Sequence, residues 1–160
     1  KEDNVKVIFL PCYLDGNDGV LNLEYYDVVL GNDLCVYPSY YEPWGYTPLE
    51  AVAFKVPCIT TDLAGFGLWA NSIIGKYGEI SDGVKVIKRT DYNYSEVADA
   101  IKDTIVEFSS YDKKQVDSAS KKADMLSKKA LWSEFIKYYN EAYHIALTKA
   151  DNRIKELKLK

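Results

Sequence analysis

Up to about residue 90 the chain alternates short apolar runs with stretches of helical periodicity; beyond it, apolar residues recur only at helical spacing. "VKVIFL" (5–10), "DLCVYPS" (33–39), "PCITTD" (57–62) and "GVKVIKR" (83–89) are rich in β-branched and aliphatic side chains and read as strands. Between them, "NLEYYDVVLG" (22–31) reads as a short helix closed by Gly31, and "TPLEAVAFK" (47–55) as a second helix. Runs this apolar suit strands covered on both faces, and strands that alternate with helices pair in parallel. The predicted class is therefore α/β: a Rossmann-like parallel sheet flanked by helices, half of a doubly wound fold, with a helical C-terminal segment.

In that segment "SEVADAIKDTIVEFSSY" places Val97, Ala100, Ile101, Ile105 and Phe108 on one helical face, and "SEFIKYYNEAYHIALTKA" does the same with Phe135, Ile136, Tyr139, Ala142, Tyr143 and Leu147. The charged end "DNRIKELKLK" is expected to fray. The pattern divides the chain into residues 1–110, the sheet-bearing part; 111–150, helices packed on it; and 151–160, a charged tail. No Gly-x-Gly-x-x-Gly turn follows the first apolar run, so a dinucleotide site of the NAD type has no support. The opening βαβ unit of such a fold is expected to lie upstream of residue 1.

Composition narrows the function classes. The 160 residues are 48% hydrophobic and 28% charged, the balance of one ordinary globular unit. A net charge of −4 supplies no basic footprint for nucleic acid or anionic lipid. Cys12, Cys35 and Cys58 stand singly in apolar runs, as buried reduced thiols do. The one histidine, His144, builds no Cys/His metal cluster, so neither metal nor cofactor is expected. With no long apolar run and no leader-like start, the expected location is cytoplasmic, without a membrane partner.

The densest chemistry lies in "YYEPWGYTPLE" (40–50). Thr47 is a good N-cap, Pro48 suits a first helical position, and Glu50 three residues on completes a capping-box pattern, which is one reading of Glu50. The other is functional. Gly45 lets the backbone approach a ligand, and a helix start that follows a strand offers free N–H groups at the carboxyl edge of the sheet, where open α/β folds bind ligands. A diphosphate fits there. Glu42 and Glu50 would repel it unless they faced hydroxyl groups, and a nucleotide sugar supplies phosphates in the middle and hydroxyl-rich rings at each end.

"VYPSYYEPWGYTPLEA" followed by "TTDLAGFG" resembles the signature region of glycogen synthases of the animal and fungal branch, retaining glycosyltransferases of two Rossmann-like domains. "VKVIFLPCYL" and "LWSEFIKYYNEAYHIAL" extend the resemblance over most of residues 5–147. It implies that residues 1–110 are part of the nucleotide-sugar-binding domain. It also implies that Glu42 contacts the transferred glucose, that Gly45, Tyr46 and Thr47 hold the diphosphate, that Glu50 binds the ribose and that Tyr25 stacks on the base. The implied donor is UDP-glucose, with ADP-glucose open, and the implied acceptor is the 4-hydroxyl of an α-glucan. The implied partners are these two substrates and an N-terminal domain of the same protein that also brings the phosphate-binding Arg and Lys; a homo-oligomer is compatible. Where the family has an arginine-rich regulatory helix, "VDSASKKADMLSKKALW" carries only lysines, which lack the bidentate fork. Two alternatives stand beside this reading: a retaining glycosyltransferase of surface polysaccharide synthesis, and a nucleotide-sugar-binding module without catalysis.

Overall fold

The computed structural model describes residues 5–158. Its centre is a three-stranded parallel sheet in the order β1 (Cys35–Val36), β2 (Cys58–Thr61), β3 (Val84–Ile87). Cys58 stands opposite Cys35 on one side and Val84 on the other, so β2 is the middle strand and all four of its residues are buried. Among the described residues six α-helices surround it: α1 (Tyr25–Leu30), α2 (Tyr46–Ala53), α3 (Gly65–Ile74), α4 (Tyr94–Ser109), α5 (Lys113–Ser127) and α6 (Trp132–Lys158). The α/β class expected from the pattern is the one observed.

Because successive strand residues point to opposite faces, β2 and β3 divide their apolar side chains between two layers. Cys58, Val84 and Val86 pack with Ala51 and Val52 of α2, Phe66 and Ala70 of α3, and Ala123 and Leu126 of α5. Ile59 and Ile87 face the other way and meet Val97, Ala100 and Ile101 of α4. Both faces are thus covered, which is why the strand sequences are continuously apolar instead of alternating. α5 begins with a complete capping box, in which Gln115 N–H donates to Asp112 Oδ1 at 2.8 Å and Asp112 N–H donates to Gln115 Oε1 at 2.9 Å.

Several sequence expectations are corrected. Residues 5–10 form no strand; Val5, Val7, Ile8 and Phe9 are 64–88% exposed, because the segment has no neighbouring strand among the described residues to pair with. Cys12 lies in the same exposed stretch and is not buried, whereas Cys35 and Cys58 are buried free thiols. Burial drives the Cys58 thiol far above its ordinary range. The strand expected over 33–39 shortens to two residues, although Cys35 N–H and Tyr37 N–H still donate to Pro57 O and Ile59 O. On α4, Thr104 is buried in place of Ile105, with its hydroxyl bonded to Ala100 O at 2.7 Å. The charged end does not fray over the described residues: α6 continues to Lys158, as a stretch without Gly or Pro and rich in good helix formers allows. Leu159 and Lys160 lie outside the described residues. In its first turns α6 is half-buried at Phe135 and Ile136; further along, its predicted apolar face is exposed at Tyr139, Tyr143 and Leu147.

Candidate functional site

The chain leaves β1 through Tyr37 and Pro38 and reaches α2 by way of "SYYEPWG", so this loop sits at the carboxyl edge of the sheet. Its backbone is tied to the segment after β2. Glu42 N–H donates to Leu63 O at 3.3 Å, Gly65 N–H to Glu42 O at 3.0 Å, and Phe66 N–H to Trp44 O at 2.6 Å. The contact is so close that a β-carbon on Gly65 would stand 2.2 Å from Pro43 O; only glycine fits there. Ser39 is held from below, since Thr61 Oγ1 donates to its carbonyl at 2.7 Å. Its own hydroxyl donates to Glu42 Oε2 at 3.2 Å, which fixes the half-buried carboxylate.

Trp44, inside the densest motif, is an anchor. Its ring meets Phe66 and Trp69 of α3 and Phe135 of α6 at centroid separations of 5.7–6.2 Å, edge-on or tilted as aromatic quadrupoles prefer. The loop carrying Glu42 is therefore clamped between α3 and α6. A cavity of about 410 Å³ lies beside it, lined by Trp44, Tyr46, Leu49, Trp132, Phe135 and Tyr139.

Helix α2 opens differently from the capping-box expectation. Its N-cap is Gly45, at φ 112°, and Tyr46 is already helical, so Thr47 is the second helical residue and Pro48 the third. The left-handed turn at Gly45, which a side chain would strain, starts the helix two residues earlier than the Thr-Pro pair suggests. Thr47 consequently caps nothing, and the box with Glu50 does not form. A proline at the third position costs no hydrogen bond, because the first N–H groups of a helix have no partner inside it. Among the described residues no group accepts from the N–H of Tyr46 or Thr47, or bonds to the Thr47 hydroxyl. Gly45 is buried, Thr47 half-buried and Tyr46 exposed, so these donors sit at an open edge.

Glu50, freed from capping, accepts from Tyr26 Oη at 3.2 Å. That bond and the carboxylate's charge raise the Tyr26 phenol above its usual range. Tyr26 is a contact that the sequence does not announce; its neighbour Tyr25, the expected stacking residue, packs against the core, and its buried hydroxyl has no partner among the described residues. The two rings are tilted, 5.4 Å apart. Arg89, two residues beyond β3, is a further contact that the sequence does not announce. It is 6% exposed, its Nη1 donates to Pro38 O at 2.6 Å, and its guanidinium lies 3.5 Å from the Tyr40 ring centroid. A cation two residues beyond a buried strand was the available signal. The geometry thus joins Glu42, Gly45, Tyr46, Thr47 and Glu50 on one loop and helix start, with Tyr25 on the adjoining α1. No three His, Cys, Asp or Glu side chains among the described residues are grouped to hold a metal ion, and no described helix is long and apolar enough to cross a membrane.

A family model described as glycogen synthase matches residues 1–158. Over 148 residues, 92% of this chain, the chain is 34% identical to glycogen [starch] synthase isoform 1 of Saccharomyces cerevisiae. Over the same length it is 33% identical to glycogen [starch] synthase of Neurospora crassa. It is 30% identical over 150 residues, 94% of the chain, to the liver glycogen [starch] synthase of Mus musculus. The chain spans 21% of the length of each of these relatives.

Proposed function

This chain belongs to the glycogen synthase family, and we propose that it is the donor-binding part of a retaining glucosyltransferase. The full protein would move glucose from a nucleoside diphosphate, with UDP-glucose favoured over ADP-glucose, to the 4-hydroxyl of an α-1,4-glucan. The bond from the anomeric carbon to the phosphate oxygen breaks, the bond to the acceptor oxygen forms on the same face, and the acceptor's proton leaves with the diphosphate. The observation that carries this reading is the open start of α2, where two adjacent N–H groups and the Thr47 hydroxyl have no partner in the described residues, on the segment that also carries Glu42 and Glu50.

The free N–H groups and the dipole of α2 suit the negative charge that grows on the departing diphosphate, and preorganised donors of this kind account for much of the rate of such transfers. Glu42, steadied by Ser39, is the group for the glucose hydroxyls and the reaction centre. Glu50 serves the ribose hydroxyls, with Tyr26 beside it, and the base lies against α1, where Tyr25 is the stacking residue. An N-terminal domain, the acceptor surface and further phosphate-binding cations belong to the rest of the protein, and the proposed compartment is the cytoplasm.

Thr47→Val tests the assignment, because it keeps shape and removes one hydroxyl that caps nothing. In the full-length protein it should leave stability within about 0.5 kcal/mol. Binding of UDP or ADP should weaken about tenfold, roughly 1.4 kcal/mol, while binding of uridine or adenosine is unaltered. An equal loss for diphosphate and nucleoside would remove the phosphate role.

A further inference from the structure

Among the described residues Arg89 is the buried cation that packing does not explain. Only 6% of it is exposed, it forms no ion pair among the described residues, and its Nε is buried without a hydrogen-bond partner. Burying an unpaired charge is costly, and an apolar side chain of similar volume would serve the core better. The contacts it does make converge on one place. Its Nη1 holds Pro38 O, its guanidinium plane lies on the Tyr40 ring, and its backbone N–H donates to Asp62 Oδ1 at 2.8 Å. Pro38 and Tyr40 flank Ser39, the residue whose hydroxyl grips the Glu42 carboxylate. The segment after β3 thereby reaches across β2 to the loop after β1.

We infer that Arg89 is a positioning residue for the transfer reaction, holding the Pro38–Tyr40 segment so that Ser39 presents Glu42 in its working orientation. The inference rests on the reading of Glu42 as the group at the reaction centre. Lysine cannot replace this arrangement, because its ammonium lacks both the flat face that stacks on Tyr40 and the fork that reaches a fixed carbonyl. The guanidinium acts on the loop and not on the nucleotide, so its loss should appear in turnover and not in donor binding. A small displacement of a group at a reaction centre can cost up to ~10²-fold in rate.

The test is a double-mutant cycle on the full-length protein with Arg89→Lys, Glu42→Gln and the pair, following kcat, the donor KM and inhibition by UDP and ADP. Arg89→Lys should lower kcat about tenfold to a hundredfold, with KM and nucleotide inhibition within about threefold, and should have little further effect in the Glu42→Gln background, since coupled residues are non-additive. If Arg89→Lys does not fold, Tyr40→Leu, which removes the ring beneath the guanidinium and leaves the charge, takes its place with the same expectations. An unaltered kcat in Arg89→Lys, or a loss that multiplies fully with that of Glu42→Gln, overturns the positioning role alone. Full kcat in Glu42→Gln instead overturns the reading on which it rests.

Discussion

Helices α2 and α5 carry the same kind of start signal, "TPLE" in one and "DKKQ" in the other, and the structure closes only the second. At α5, Asp112 and Gln115 satisfy each other's backbone N–H groups. At α2, Gly45 turns the chain into the helix early, Thr47 and Glu50 are displaced from the capping positions, and the first donors stay open. The difference lies upstream of the pattern, not in the pattern. A left-handed glycine two positions upstream leaves the helix start without its capping box. The closed start contributes stability to the fold; the open one leaves its first donors unpaired among the described residues, which is what the proposed phosphate site requires.

The contrast can be broken most severely at Gly65, which lets α3 approach the loop leading into α2. Gly65→Ala would set a methyl group 2.2 Å from Pro43 O. The loop must move, costing about 3 kcal/mol, and the open start should be lost with it. Calorimetry of the full-length protein should show a lower melting temperature together with abolished transferase activity; wild-type values for both would contradict the close approach.

A milder change isolates the closed start. Asp112→Ala should destabilise the protein by about 1 kcal/mol in denaturant unfolding and leave the donor KM where it was. A changed KM would mean that α5 is coupled to the site. Smallest is Glu50→Gln, which keeps shape, removes charge and breaks no cap. Its melting temperature should match wild type, and donor affinity should fall about threefold, roughly 0.7 kcal/mol, as measured by titration. Unaltered affinity would leave Glu50 only as Tyr26's acceptor.

Much of this was legible in the sequence, for reasons that differ by residue. β2, β3 and, apart from exposed Ile105, α4 follow from local apolar pattern because their burial agrees with it. The 5–10 run is just as apolar but exposed, since strand formation depends on a partner that pattern alone does not supply. The cluster from Glu42 to Glu50 was visible because its chemistry is contiguous in sequence. Arg89 was not, because its partner Pro38 lies 51 positions away and a charged residue after a strand ordinarily faces water. Tyr26 escaped for a similar reason: which of two adjacent tyrosines reaches Glu50 depends on how α1 is rotated against α2.

Amide hydrogen exchange of the full-length protein with and without saturating UDP or ADP, followed by mass spectrometry, addresses the two helix starts directly. If the start of α2 holds the diphosphate, nucleotide should slow exchange in peptides spanning Trp44 to Leu49 and leave those around Asp112 to Gln115 unmoved, while uridine or adenosine protects the first region far less. Exchange at Tyr46 and Thr47 that is indifferent to the diphosphate, under conditions where binding is saturated, would contradict the assignment of α2 as the phosphate site.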